Sequence, residues 1–221
     1  MLEIYGDRIP VRESEWDNRH FWRVSNAEQL KLSDDVGMIN LSHFCIIDVK
    51  GRDAEALMEY TCVARVGGDT PVGKGIYTHF LDAEGGVRAD LTVLRLADDH
   101  YRIVDGGDTG HRDLVWLQRL AEDRGASVAI SERTEEFGCL GVWGPNARSR
   151  LQTLVDDPAA LDADAFAFAS FKPIKIAGVT VTAFRISYVG EQGWELHFAY
   201  DDGLALWDAL YAAEITPVGI E

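Results

Sequence analysis

The sequence is short of cysteine, of proline, of basic charge and of long apolar runs. Cys45, Cys62 and Cys139 are its three cysteines, widely spaced and without a C-x-x-C. That excludes a disulfide framework and fits a reducing, cytoplasmic setting. No run of ~18 or more apolar residues occurs, so no membrane-crossing helix is expected, and MLEIYGDRIPVRESEWDNRH has no apolar signal core. Six Pro and 21 Gly in 221 residues exclude collagen-like and low-complexity classes. G-x-G-x-x-G after a strand, G-x-x-x-x-G-K-[ST], G-x-S-x-G and H-E-x-x-H are all missing. Their absence argues against a nicotinamide or flavin domain, a P-loop, a hydrolase serine elbow and a zinc protease helix. His20, His43, His79, His100, His111 and His197 are scattered, and no Cys pairs with them in sequence. No metal site is expected.

Lys and Arg number 21 against 37 Asp and Glu, a formal net charge of −16. Such a surface repels duplex nucleic acid and anionic membranes, so neither is an expected partner. What the chain does have is core material. It is 47% hydrophobic with six Trp, and 26% charged, the profile of a folded soluble protein rather than a disordered one.

Residues 1–24 mix charge with Tyr5, Trp16, Phe21 and Trp22 and read as irregular chain. Ser25-Asn26 reads as the cap of a short helix that Gly37 closes. A strand is expected around 44–49, then a helix with Ala54, Leu57, Met58 and Thr61 on its buried side. From Lys74 onward the period becomes two. GKGIYTHFLD and VRADLTVLRL read as a hairpin about AEGG, and HYRIVD as a third strand. Val87, Ala89, Leu91 and Val93 share one face, which leaves Asp90 and Thr92 on the other. Residues 109–125 hold the clearest helix, with Leu114, Leu117, Leu120 and Ala121 as its stripe. FGCLGVWGPNAR reads as strand, turn and helix with Pro145 at the first helical position. Two strands joined at Ala177-Gly178, a strand over WELHFAY and a helix over DDGLALWDALYAA follow. Hairpin-length connections predict an α+β fold of antiparallel sheets with flanking helices.

Two acidic segments invite chemistry. In GGVRADL, Asp90 stands four residues past a Gly-Gly turn on the face away from the apolar row. A solvated or Arg-paired acid is the plain alternative. In RISYVGEQGWEL, two glycines, two carboxylates and Tyr188 occupy a bend between apolar strands. Such a bend lets backbone approach a ligand, and its acids can accept from paired N–H donors of a planar ring. A glycine-rich hairpin with incidental acids is the plain alternative there.

Five segments in order, VGMINLSHFCIIDVKGRDA, GIYTHFLDAEGGVRADLTV, LGVWGPNAR, RISYVGEQGWEL and ITPVGIE, resemble the aminomethyltransferase family. That family includes the glycine-cleavage T-protein and the folate domains of dimethylglycine and sarcosine dehydrogenases. The resemblance spans roughly residues 30–221. It implies two lobes of a three-lobed folate-binding fold, with the C-terminal β lobe missing. One lobe would combine 1–46 with 137–221, and the other would be 47–136. It implies tetrahydrofolate as cofactor and a small methylamine-type or methyl-donor substrate. A separate oxidoreductase chain or a lipoyl carrier would be the protein partner.

By the same resemblance Asp90 is the catalytic acid, Tyr77 contacts folate, and Tyr188 and Glu195 hold the pterin. Glu191 is the other acid of that bend. Phe44 stands where the family often has Met, and Thr92 where Val is common. The implied function is a one-carbon transferase forming methylene- or methyl-tetrahydrofolate. A folate-dependent O- or S-demethylase and a non-enzymatic folate-binding accessory protein remain open as alternatives. Accessory relatives carry K-G-C-Y-x-G-Q-E, whereas SYVGEQGWE lacks the Cys.

Overall fold

The stretches of period two assemble into two sheets. A computed structural model of the chain describes residues 1–11 and 21–219. The larger sheet comprises β1 (Gly37–Asn40), β7 (Phe137–Trp143), β8 (Phe171–Ile176), β9 (Val179–Phe184), β10 (Gly193–Ala199) and β11 (Thr216–Pro217), ordered β11-β1-β7-β10-β9-β8. The smaller comprises β2 (Cys45–Lys50), β3 (Gly75–Leu81), β4 (Val87–Ala97), β5 (His100–Asp105) and β6 (Ala129–Glu132), ordered β3-β4-β5-β2-β6. All pairings are antiparallel except the short β1–β11 contact. The α-helices are α1 (Leu2–Tyr5), α2 (Trp22–Asp34), α3 (Ala54–Thr61), α4 (Gly110–Asp123), α5 (Ala147–Gln152) and α6 (Gly203–Ala212). The fold is α+β, with antiparallel sheets and flanking helices, as the pattern predicts. Among the described residues no helix is long and apolar enough to cross a membrane.

Several local expectations fail for identifiable reasons. Leu2–Tyr5 is helical where irregular chain is expected, and Trp16 lies outside the described residues. Helix α2 begins at Trp22, so Ser25 and Asn26 lie inside it. Asn26 Nδ2 bonds the Trp22 carbonyl at 2.7 Å, turning a capping side chain back onto the preceding turn. Helix α5 begins at Ala147. Pro145 instead occupies the turn after Gly144, whose φ of 140° only glycine adopts readily. Strand β1 carries no alternation because its first three residues are all buried.

Each sheet buries one face under helices. Trp194, Leu196 and Phe198 of β10 pack with Val142, Leu151, Leu206 and Leu210 beneath α5 and α6. Ala89, Leu91 and Val93 of β4 pack with Leu57, Met58, Leu114 and Leu117 beneath α3 and α4. Burying such side chains stabilises the fold by about 1.5–3 kcal/mol each. The remaining faces meet. Ile46, Leu94 and Val104 of the smaller sheet join Phe184 of the larger in one cluster, flanked by Phe44, Phe137, Phe171 and Ile186. The layers therefore run helices, sheet, sheet, helices. Strand alternation turns Asp90, Thr92 and Leu94 of β4, and Glu195 and His197 of β10, away from the helices.

The sheets meet closely at Gly75. A methyl there would overlap the Phe184 ring and press on a Leu94 methyl at 2.8 Å. Gly75→Ala should therefore lower stability by about 1–3 kcal/mol, the usual cost of overpacking. Urea denaturation measures this, and an unchanged midpoint would mean the sheets do not abut there.

Candidate functional site

The hairpin of β3 and β4 builds one half of the site. Its turn is closed by Asp82, whose Oδ1 accepts from the Glu84 and Gly86 amides, while Gly85 takes φ 85°. The register sets Tyr77 opposite Thr92 and His79 opposite Asp90. Tyr77 reaches diagonally, and its hydroxyl donates to Asp90 Oδ2 at 2.9 Å. Its ring meets His79 edge-on, with centroids 5.3 Å apart. The bond to Asp90 first, then partial burial, Asp90's charge and the nearby Tyr188, raise the Tyr77 phenol above its ordinary range. Tyr77, Asp90, Thr92 and Tyr188 thus gather on one side. Tyr77 is 57% and Tyr188 71% exposed.

The other half stands on β10. Glu195 pairs with Gly141 on one side and Phe184 on the other. A Cβ on Gly141 would enter the Trp143 ring, so glycine leaves that ring its place. Trp143 Nε1 donates to the Ile186 carbonyl at 2.7 Å and ties down the start of the bend that carries Tyr188. Glu195 is buried, and its Oε2 lies 3.0 Å from His197 Nε2. Cys139 Sγ lies 3.9 Å from the same nitrogen. Burial, reinforced by the Glu195 charge, holds the Cys139 thiol well above its ordinary range. Phe44, half-buried, packs against both the Cys139–Trp143 cluster and the Phe184 cluster. Among the described residues Glu191 makes no side-chain hydrogen bond, and it joins neither group. Four surface clefts of 320–550 Å³ are lined by other residues than these.

Sequence reasoning missed two features. Cys139 and His197 lie 58 residues apart and become cross-strand partners only through the β7–β10 register. With Glu195 their ligand-type atoms lie within 4.8 Å of one another. His197 is nonetheless findable, since position i+2 on a strand shares the face of Glu195. The second feature is a pair of buried acids near Asp90. Asp113 lies on the buried stripe of α4, three residues after Gly110 and four before Leu117, and takes Arg88 at 3.3 Å and Arg112 at 2.8 Å. Asp105 ends β5. Its Oδ1 accepts from the Gly106 amide, and its buried Oδ2 has no partner among the described residues. Burial, with Asp113 and Asp90 adding to it, pushes the Asp105 carboxyl up to about 6.

The family model of the GCVT N-terminal domain matches residues 2–221. The chain is 35% identical over 206 residues to mitochondrial dimethylglycine dehydrogenase of Rattus norvegicus, covering 93% of this chain and 23% of that protein. It is 31% identical over 211 residues to an aminomethyltransferase of Paraburkholderia phymatum, covering 93% and 55%. Among solved structures it is similar to the glycine cleavage system aminomethyltransferase T from Bartonella henselae, with a TM-score of 0.73 at 21% identity, covering 88% of this chain and 50% of that one. It is also similar to a chain of the heterotetrameric sarcosine oxidase from Corynebacterium sp. U-96, with a TM-score of 0.60 at 15% identity, covering 91% and 97%. Those two structural likenesses speak for the fold. The chain spans about half the length of the aminomethyltransferase and less than a quarter of the dehydrogenase.

The Asp105 environment gives a test of the local electrostatics. A carboxyl raised in the folded state keeps a proton that the unfolded chain releases, so stability falls as pH rises between about 4 and 6. At neutral pH the full penalty is present. Asp105→Asn keeps the acceptor for Gly106 and removes the charge. It should stabilise the chain by roughly 2 kcal/mol at pH 7 and leave it unchanged near pH 4. Thermal melts at the two pH values measure the difference, and an equal effect at both would assign Asp105 an ordinary titration.

Proposed function

The chain belongs to the GCVT N-terminal domain family, and from that membership we propose that it is a tetrahydrofolate-dependent one-carbon transferase. It takes an aminomethyl group, giving methylene-tetrahydrofolate and releasing ammonia, or a methyl group, giving methyl-tetrahydrofolate and releasing the demethylated amine of a small methylamine-type donor. One observation supports this above the rest: the Gly75–Phe184 contact between the sheets. Tyr77 is two residues from Gly75 on the same face, roughly 7 Å along the strand. Glu195 is the cross-strand partner of Phe184, roughly 5 Å away. The Tyr77–Asp90 pair and Glu195 therefore flank the same contact between the sheets.

The residues fit the cofactor. A reduced pterin is a flat ring rich in N–H donors, and Glu195 is an acceptor-only carboxylate with one oxygen engaged by His197. Its side chain keeps 10% of its surface open, beside the ring of Phe184. Tetrahydrofolate supplies N5 and N10, the nitrogens that take up a one-carbon unit. Asp90 supplies negative charge to a cationic donor, and the Tyr77 hydroxyl fixes one of its oxygens. Preorganised charge of this kind lowers a barrier by about 3 kcal/mol, roughly a hundredfold in rate. Glu195 and Tyr188 orient the ring. An oxidoreductase chain or a lipoyl carrier delivers the donor. The names dimethylglycine dehydrogenase and sarcosine oxidase among the similar proteins support the oxidoreductase.

Calorimetric titration with tetrahydrofolate tests the reading, and no binding to the wild-type chain would overturn it. Asp90→Asn should bind within about threefold of wild type and lose about a hundredfold in turnover of a methylamine donor. Normal turnover would remove Asp90 from the mechanism. Glu195→Ala should weaken tetrahydrofolate binding by about tenfold or more. Unchanged affinity would remove Glu195 from the ring site.

A further inference from the structure

We propose that His197 is the positioning residue of Glu195, a neutral donor that engages one carboxylate oxygen and leaves the other for the ring. The inference rests on the folate reading above and concerns the same site. Strand alternation puts residues 195 and 197 of β10 on one face, and their side chains close to 3.0 Å. His197 is buried, and its side chain keeps only 3% of its surface. Of its two ring nitrogens, Nε2 faces the Glu195 carboxylate and Nδ1 is buried without a partner among the described residues. Those surroundings choose the tautomer. The proton belongs on Nε2, where an acceptor waits, and Nδ1 keeps its lone pair. An imidazolium would carry a second N–H into a place with no acceptor, which is costly in a buried site.

Cys139 lies across the strand from His197. Its Sγ lies 3.9 Å from Nε2, and burial disfavours its thiolate. The three side chains therefore act as a hydrogen-bonded array about one carboxylate. The consequence for function is specific. A neutral donor fixes the direction of Glu195 without cancelling its charge, whereas an arginine at that place would do both.

Two measurements test the proposal, one without ligand. Long-range proton–nitrogen NMR spectra of the ligand-free chain at pH 7 should show His197 protonated at Nε2 alone, with that signal perturbed in Glu195→Ala. A ring protonated at Nδ1, or at both nitrogens, overturns the proposal whether or not tetrahydrofolate binds. Calorimetry supplies the second measurement. His197→Phe, which fills the space without a donor, should weaken tetrahydrofolate about tenfold, and His197→Gln, which returns an N–H, should stay within about threefold of wild type. In the Glu195→Ala background His197→Phe should change affinity no further. Equal loss in the Phe and Gln variants, or undiminished binding in His197→Phe, assigns His197 a packing role and overturns the proposal. Failure of the wild-type chain to bind tetrahydrofolate overturns the folate reading instead, a separate result.

Discussion

Two sheets can pack face to face only where their side chains leave room, and a missing side chain at Gly75 is what allows a close approach here. The Phe184 ring and a Leu94 methyl occupy the space where a Cβ would stand. The contact does more than join layers. Gly75 lies on the strand and face of Tyr77, and Phe184 pairs with Glu195. One close approach therefore joins the strand that carries Tyr77 to the strand that pairs with Glu195. A second fastening lies further along the interface. Burial would raise the Asp48 carboxyl, but Arg102 grips it at 2.7 and 2.9 Å and holds it below its usual range. The same guanidinium lies 4.1 Å over Phe137 of the larger sheet. The ion pair sits where the partner sheet offers an aromatic face, so its charge is compensated on both sides.

How much of this could be read from the sequence follows from how local each feature is. The β3–β4 hairpin is local: Gly85, the alternation through Val93 and the short separation of Tyr77 from Asp90 are all visible in about twenty residues. The resulting hydrogen bond is a consequence of that register. The helical stripe of α3 is local too, and Ala54, Leu57, Met58 and Thr61 are buried as the spacing predicts. Strand β1 stays hidden because a short strand buried on both faces has no period to detect. The start of α2 is misleading because Ser25 and Asn26 look like caps in sequence, and only the bond from Asn26 back to Trp22 shows that a helical turn precedes them. Cys139 and His197 meet through a pairing between strands that hairpin logic cannot connect, since β8 and β9 intervene in the chain. Asp105 and Asp113 look like surface acids in an acidic protein. Their burial is a property of how α4 lies on the smaller sheet.

The chain has far more acids than bases, 37 against 21, and the way it allots its arginines separates the two kinds of carboxylate. Buried or half-buried acids that hold the fold receive guanidinium partners: Asp48 has Arg102 and Arg133, Asp113 has Arg88 and Arg112, and Glu55 has Arg95. Asp90 and Glu195 do not, among the described residues. Asp90 receives a tyrosine hydroxyl and Glu195 an imidazole nitrogen. A guanidinium would fix a carboxylate and neutralise it together, which suits a structural acid. A neutral O–H or N–H fixes direction without cancelling the negative charge. Asp105 adds the converse case. Its raised carboxyl holds a proton below about pH 6, so the burial that would make a third charge costly also suppresses it there. Arginine partners therefore mark the acids that tie the fold together, and Asp90 and Glu195 stand apart from them by being held through a hydroxyl and an imidazole.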